Sequence, residues 1–342
     1  MKTDEKSTQA SSSSNQSDII EEDAIEHAET IELEMSAVPI VGLMIAFSIA
    51  GVLIRVKLTE LNSYPGVPVF PLLYAQFVGC LIMGICIQSK DMLFDTYYPL
   101  YVGIATGLCG SITSFSSFEL ATFRAVINDG IGYGIMAGLT HVMITVGMSV
   151  VAFRFGKDLT EVVTSKRREN RKKRLYKLVP IDFRKNGLKL DFGCVAIGAI
   201  VWIAAVSLAI VWREQRPILF ATVFGPVGTL SRWRLGAFNS AKTVFPLGTF
   251  AANMLGCLCL SILFLLSHGS VSSNIGCDII AGLSDGFCGC LTTISTFAVE
   301  LTTLSRGFAY RYAIVSVILG QLVMIFVLGI HYWTANLNNT CA

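Results

Sequence analysis

The chain has 342 residues, 53% of them hydrophobic and only 15% charged, with a mean hydropathy of +0.62. Those values exclude a soluble multidomain protein. The formal net charge of +2 hides a partition: residues 1–34 carry ten acids against Lys2 and Lys6, whereas residues 154–190 carry thirteen Lys/Arg against four acids, and the long stretches between are nearly uncharged, as a bilayer requires.

Residues 1–37 read as an acidic, largely disordered cytoplasmic tail. They are Ser-rich and contain no apolar run of the kind a signal peptide needs. Within them, the stretch from Ile19 to Met35 suits either a short acidic helix or an unstructured, phosphorylatable segment.

Apolar runs of spanning length then follow near 38–58, 68–89, 98–123, 131–153, 192–212, 217–237, 246–267, 277–303 and 309–333. The expectation is an all-α integral membrane protein with nine transmembrane helices. The first four spans form one unit over 38–153. A basic loop, 154–190, separates it from a linker helix at 191–213. A second four-helix unit covers 214–335, and 336–342 is a short tail.

The two units are copies of one another. At an offset of 177, Gly51, Arg55 and Leu58 fall on Gly228, Arg232 and Leu235, and Gln76, Gly79 and Cys80 fall on Asn253, Gly256 and Cys257. At an offset of 179, Gly107-Leu-Cys-Gly-Ser-Ile-Thr113 falls on Gly286-Phe-Cys-Gly-Cys-Leu-Thr292, with Ser116, Phe118 and Tyr133 on Ser295, Phe297 and Tyr312. One linker span between two four-span units forces opposite orientations, so the repeats are inverted about an axis in the membrane plane. The basic loop places the N-terminus in the cytoplasm and the C-terminus outside, where the Asn338-Asn339-Thr340 sequon also falls.

The polar residues inside these spans admit two kinds of reading. Gly107–Gly110 and Gly286–Gly289, each followed by hydroxyl residues, predict a helix break in mid-membrane. The carbonyls of Gly110, Thr113, Gly289 and Thr292 could there ring a small cation, or the small residues could serve close helix packing. Phe115 and Phe118, matched by Ile294 and Phe297, offer electropositive ring edges to a passing anion, or simply pack. Tyr312, Ser316 and Gly320 form a stripe of hydroxyls and open space on one helical face, whereas the first unit has Tyr133, Ala137 and His141 there.

Asn253 and its counterpart Gln76 are buried amides that suit either an anion or a helix bridge. Arg55 and Arg232 suit a vestibule or a snorkelling span end. Glu300 is an intramembrane carboxylate and so a functional candidate, while Glu119 lies two positions out of register with it. The ten cysteines show no metal-ligand spacing and read as small buried residues. No motif for ATP binding or hydrolysis is present, so neither an enzyme nor an ATP-driven pump is expected, and no nucleic-acid partner.

Gly286-Phe-Cys-Gly-Cys-Leu-Thr-Thr-Ile-Ser-Thr-Phe297 with Glu300, preceded by Gly248-Thr-Phe-Ala-Ala-Asn253-Met-Leu-Gly256, resembles the Fluc (CrcB-like) fluoride channels. The four-plus-one-plus-four arrangement is similar to that of the eukaryotic fluoride exporters, FEX. The resemblance covers about 38–333. It implies two antiparallel four-helix units and a structural sodium ion held by the carbonyls of Gly110, Thr113, Gly289 and Thr292. It implies a phenylalanine box at Phe115, Phe118 and Phe297, with Ile294 a departure, and a pore asparagine at Asn253. It also implies a polar track at Thr293, Tyr312 and Ser316, and vestibule arginines at Arg55 and Arg232.

The departures Gln76, Ala137 and His141, with Tyr133 beside them, all belong to the first unit, so one working and one degenerate pore are expected. The function implied is passive export of fluoride across the plasma membrane by a single chain in membrane lipid. A proton-coupled anion transporter is the rival reading, and a non-conducting scaffold a third.

Overall fold

The computed structural model describes residues 37–329 apart from 67–68, 129, 169–186, 240–244 and 270–272. The acidic tail, the middle of the basic loop and the Asn338 sequon lie outside the described residues.

Every regular element among the described residues is helical. The first unit comprises α1 (Ala37–Leu61), α2 (Leu73–Gln88), α3 (Lys90–Val102), a π-helical segment (Gly103–Cys109), α4 (Gly110–Ile112), α5 (Phe115–Asn128) and α6 (Gly130–Arg168). After α7 (Gly187–Val211) the pattern recurs as α8 (Arg216–Gly236), α9 (Leu247–Gly269), α10 (Asn274–Gly282), a π-helical segment (Leu283–Cys288), α11 (Gly289–Leu291), α12 (Ser295–Thr303) and α13 (Arg306–Met324). Both π segments fall at the same place in the repeat.

Six stretches are long and apolar enough to cross a membrane: Ala37–Leu61, Tyr133–Thr164, Leu188–Val211, Leu247–Gly269, Asn274–Thr303 and Arg306–Gly329. The other expected spans are also helical. However, α2 has only 16 residues, and α8 carries Arg232 and Arg234 in its last turns. The chain is an all-α, multi-pass membrane protein.

Three details differ from the sequence expectation. α6 runs on to Arg168, so the basic loop begins as a helix. Residues 154–168 contain no proline and only one glycine, and the switch from apolar to charged marks a change of solvent, not the end of the helix. The third span starts at Lys90, kinked at Tyr97 (φ −165°, ψ 101°) just before Pro99. Finally, Cys277 is disulfide-bonded. Among the described residues eight cysteines are free and buried, Cys259 only partly.

The linker helix packs on both units. Trp202 Nε1 of α7 donates to Val223 O of α8 at 3.0 Å, and Gly198 brings α7 against Gly42 of α1. One apolar cluster holds Phe115, Phe118 and Phe153 of the first unit with Ile294, Phe297 and Tyr312 of the second. In lipid, such a joint is held by close packing and interhelical hydrogen bonds and not by exclusion of water.

Candidate functional site: two broken helices and a polar stripe

The Gly-x-Cys-Gly-x-x-Thr copies end in extended backbone at Thr113 (φ −98°, ψ 149°) and Thr292 (φ −95°, ψ 157°), so both third spans break where the sequence predicts. The freed N–H groups are satisfied across the repeat. Thr113 Oγ1 accepts from the N–H groups of Ile294 and Ser295 at 3.2 and 3.0 Å, and Thr292 Oγ1 accepts from Ser116 N–H at 3.1 Å. Thr113 Oγ1 and Thr293 Oγ1 are 3.1 Å apart, as are Ser114 Oγ and Thr292 Oγ1. Each unit thus caps the other unit's broken helix.

The two buried amides bracket the breaks. Gln76 Nε2 donates to Ser114 O at 2.7 Å and its Oε1 accepts from Ser114 N–H at 3.3 Å. Asn253 Oδ1 accepts from Thr293 N–H at 2.9 Å, and its Nδ2 donates to Thr293 O at 3.4 Å. Asparagine and glutamine therefore do the same backbone work in the two halves.

Arg55 and Arg232 are buried, 2% and 6% exposed. They are neither snorkelling nor freely presented. Arg55 Nη1 donates to Ser111 O and Gly289 O, both at 2.8 Å, and Nη2 to Asp285 O. Arg232 Nε donates to Cys290 O and its Nη2 to Thr106 O, both at 2.8 Å. Each guanidinium ties its own unit's broken span to the other's π segment. Gly110 and Gly289 make room here, because a Cβ at either would push the guanidinium of Arg232 or Arg55 off its carbonyls.

These bonds leave a set of carbonyls. Among the described residues no hydrogen-bond donor is directed at Gly110 O, Thr113 O or Thr292 O, since the next N–H groups are taken by Gln76, Ser114 Oγ and Thr293 Oγ1; Gly289 O receives only Arg55. Unserved carbonyls at a mid-membrane break fit a small monovalent cation. Among the described residues no group of three His, Cys, Asp or Glu could hold a metal ion.

A row of rings crosses the joint. Phe115 contacts Phe118 and Phe297 edge-on, with centroids 5.7 and 5.6 Å apart, and Phe297 lies 5.1 Å from Tyr312. Ile294 is buried in the fourth place. At the other end of the row Phe118 stacks on His141 at 5.9 Å.

From Tyr312 a polar path runs both ways. Tyr312 O–H donates to Glu300 Oε2 at 2.7 Å, and Thr249 O–H to Glu300 Oε1 at 2.5 Å; Asn239 Nδ2 donates to Thr249 Oγ1 at 2.9 Å. In the other direction come Ser316, 1% exposed with its Oγ lacking a hydrogen-bond partner, and then Gly320.

Two cavities open in the fold, and Asn239 and Thr249 of the path line the second. One, of about 910 Å³, is lined in part by Arg55, Ser117, Arg124, Phe264 and Asp285. The other, of about 550 Å³, is lined in part by Thr106, Arg232, Asn239, Thr249, Thr293 and Thr296. They are counterparts: Arg55 matches Arg232, Ser117 matches Thr296, and Asp285 matches Thr106. Thr249 and Phe264 sit at opposite ends of α9, about 22 Å apart along the helix, so the cavities open at opposite ends of the fold.

The structure thus brings Asn253, Phe115, Phe118, Phe297, Thr293, Tyr312, Ser316 and Glu300 into one connected region. It leaves Tyr133 outside, 83% exposed, and seats His141 against Phe70, Phe118 and Thr122 Oγ1. Sequence reasoning missed Thr249 and Asn239. The signal was available for Thr249, which stands at i−4 from Asn253 and so on the same face.

The profile of the family described as CrcB-like protein, Camphor Resistance (CrcB), matches twice, at residues 42–157 and 219–330. "Fluoride export protein 1" of Candida albicans is 33% identical over 333 residues, covering 88% of this chain and 82% of that protein. "Fluoride export protein 1" of Saccharomyces cerevisiae is 28% identical, covering 86% and 93%. The shorter "Fluoride-specific ion channel FluC" of Escherichia fergusonii is 32% identical over 117 residues, 34% of this chain and 91% of that protein. No solved structure matches the chain.

Proposed function

Because the chain belongs to the CrcB-like protein family, whose pattern it contains twice, we propose that it is a passive channel that exports cytosolic fluoride across the plasma membrane, acting as a single chain. The observation that carries the reading is the buried polar stripe on α13, where the Ser316 hydroxyl makes no full hydrogen bond and the Tyr312 ring meets Phe297. A buried hydroxyl without a partner marks water or an ion.

Hydroxyl donors and electropositive ring edges together replace part of an anion's hydration shell without a fixed cation that would trap it. A small anion gains most from donors this close together. An interior-negative potential drives a monovalent anion outward by about 2.3 kcal/mol per 100 mV, so no pump is required.

The working pore is assigned to the stripe on α13, with Asn253 and Thr293 at its flank. The first unit's equivalent has lost its hydroxyl at Ala137 and carries His141 packed among aromatics, which supports a degenerate second pore. Both carboxylate oxygens of Glu300 accept from local donors, which favours a fixed orienting group over a mobile proton carrier.

The carbonyls of Gly110, Thr113, Gly289 and Thr292 would hold a structural sodium ion, which when bound supplies a positive charge at the breaks. The two arginines and the reciprocal threonine caps fix those carbonyls. The N-terminus is assigned to the cytoplasm and the C-terminus to the outside.

The test is efflux from liposomes holding the purified protein, followed with a fluoride electrode beside a chloride electrode. Fluoride release without chloride release, lost in the Tyr312→Phe, Ser316→Ala double variant, supports the reading. Equal release of both halides, or of neither, overturns it.

A further inference from the structure

Among the described residues, four buried side-chain oxygens lack a hydrogen-bond partner: Glu119 Oε1, Thr145 Oγ1, Ser149 Oγ and Ser316 Oγ. The first and last belong to one place. Glu119 on α5 is 0% exposed, and its carboxyl rests on Gly320 of α13: a Cβ at Gly320 would lie 2.9 Å from Glu119 Cδ and 3.0 Å from Oε1. Gly320 is one helical turn from Ser316 on the same face, so the Glu119 carboxyl and the Ser316 hydroxyl occupy neighbouring turns of one face of α13. The other oxygen, Oε2, accepts from Gln321 Nε2, which also donates to Glu119 O at 2.8 Å.

The internal duplication isolates this feature. α5 packs on α13 as α12 packs on α6. At the equivalent positions, Glu119 opposite Gly320 becomes Ala298 opposite His141. Large against small is exchanged for small against large, so the acid is particular to the stripe assigned to conduction. Its contact with Gly320, eight residues beyond Tyr312, places it about two turns further along the stripe than Glu300.

We propose that Glu119, contributed by the first unit, completes the second unit's fluoride path and makes conduction depend on its protonation. This rests on the channel reading given above. In the acid form, Oε1–H donates a hydrogen bond to fluoride arriving from Ser316, with Oε2 held by Gln321. As a carboxylate the same group offers no donor and repels the anion. Fluoride conductance then falls as pH rises through the titration of Glu119.

Cys257 of α9 interacts with it; α6 and α13, also packed on α5, bring His141 and Tyr312, Arg124 lies five residues further along α5, and Cys288 and Glu300 lie beyond on elements not packed on α5. Of these, Glu300 and Tyr312 are bonded to each other, and His141 to Thr122. None supplies a cation to Oε1.

The test measures fluoride flux at a fixed potential in liposomes of the full-length chain, with equal pH on both sides, stepped from neutral to alkaline. Wild-type flux is expected to fall severalfold across the series. Glu119→Gln, which keeps a donor that does not titrate, is expected to flatten the profile, so that its curve crosses the wild type's. A Glu119→Gln profile that follows the wild type overturns the proposal, as does wild-type flux that is indifferent to pH. Absence of wild-type fluoride flux at every pH rejects the channel reading instead. Should Glu119→Gln not fold, Gly320→Ala reads the same gap by pushing the carboxyl aside: altered pH dependence supports the proposal, and a wild-type profile overturns it.

Discussion

Thr113 and Thr292, 179 residues apart, each cap the helix that follows the other's break. Thr113 Oγ1 takes two N–H groups at 3.2 and 3.0 Å, and Thr292 Oγ1 takes one at 3.1 Å. The two halves of the chain are therefore not merely adjacent. Each takes the cap of its broken third span from the other.

Thr113→Val and Thr292→Val are expected to cost about 1 kcal/mol of stability each, the usual value of a lost cap. The double variant should depart from additivity, because both hydroxyls belong to one network. Thermal unfolding in detergent of the single and double variants checks this, and strict additivity would mean two independent caps.

Arg55→Lys and Arg232→Lys are expected to fail as conservative changes. A lysine ammonium cannot reproduce the guanidinium fork that serves carbonyls of both units. With charge-assisted bonds at about 1.5–3 kcal/mol each, either change should sharply lower the melting temperature and the yield of monodisperse protein. Retention of wild-type stability by both would show that the guanidinium bonds contribute little.

The amides differ in consequence although they share a geometry. Gln76→Ala and Asn253→Ala each strand an N–H and a C=O at a break, at a cost of about 1–3 kcal/mol. Similar losses of stability are expected, with fluoride flux falling at least tenfold further in Asn253→Ala, since only that break flanks the open stripe. Equal flux losses would place conduction in both halves.

The ring row is asymmetric too. Phe297 touches Tyr312, whereas Phe118 stacks on His141. Phe297→Ile should therefore lower flux about tenfold more than Phe118→Ile, at similar stability, read in the same liposome assay. The reverse order would move the working pore to the first unit.

The Cys277 disulfide bears on orientation, because such bonds persist on the oxidising side of a membrane. In intact cells, a membrane-impermeant reductant should expose Cys277 to an impermeant thiol label. Labelling that requires permeabilisation would reverse the assigned topology.

Much of this was legible in the sequence. The duplication, the two breaks and the ring row follow from residue spacing, because Gly, hydroxyl and aromatic residues there obey helical periodicity and recur at a fixed offset. The direction of a donor does not follow from spacing. Arg55 and Arg232 line the two cavities, yet spacing gives no sign that their guanidinium groups also bond carbonyls more than 50 residues away in their own unit and more than 120 in the other. Glu119 was set aside because it breaks the repeat's register, and only the contact with Gly320 explains why it can. Helix α6 overran its expected end because charge reports the solvent and not the backbone.

The central claim is passive conduction, and the balance point of the flux tests it most directly. In voltage-clamped liposomes with a fluoride gradient, net flux should vanish at the potential that balances that gradient, whatever proton gradient is imposed. A balance point that moves with the proton gradient would contradict the account and establish coupled transport.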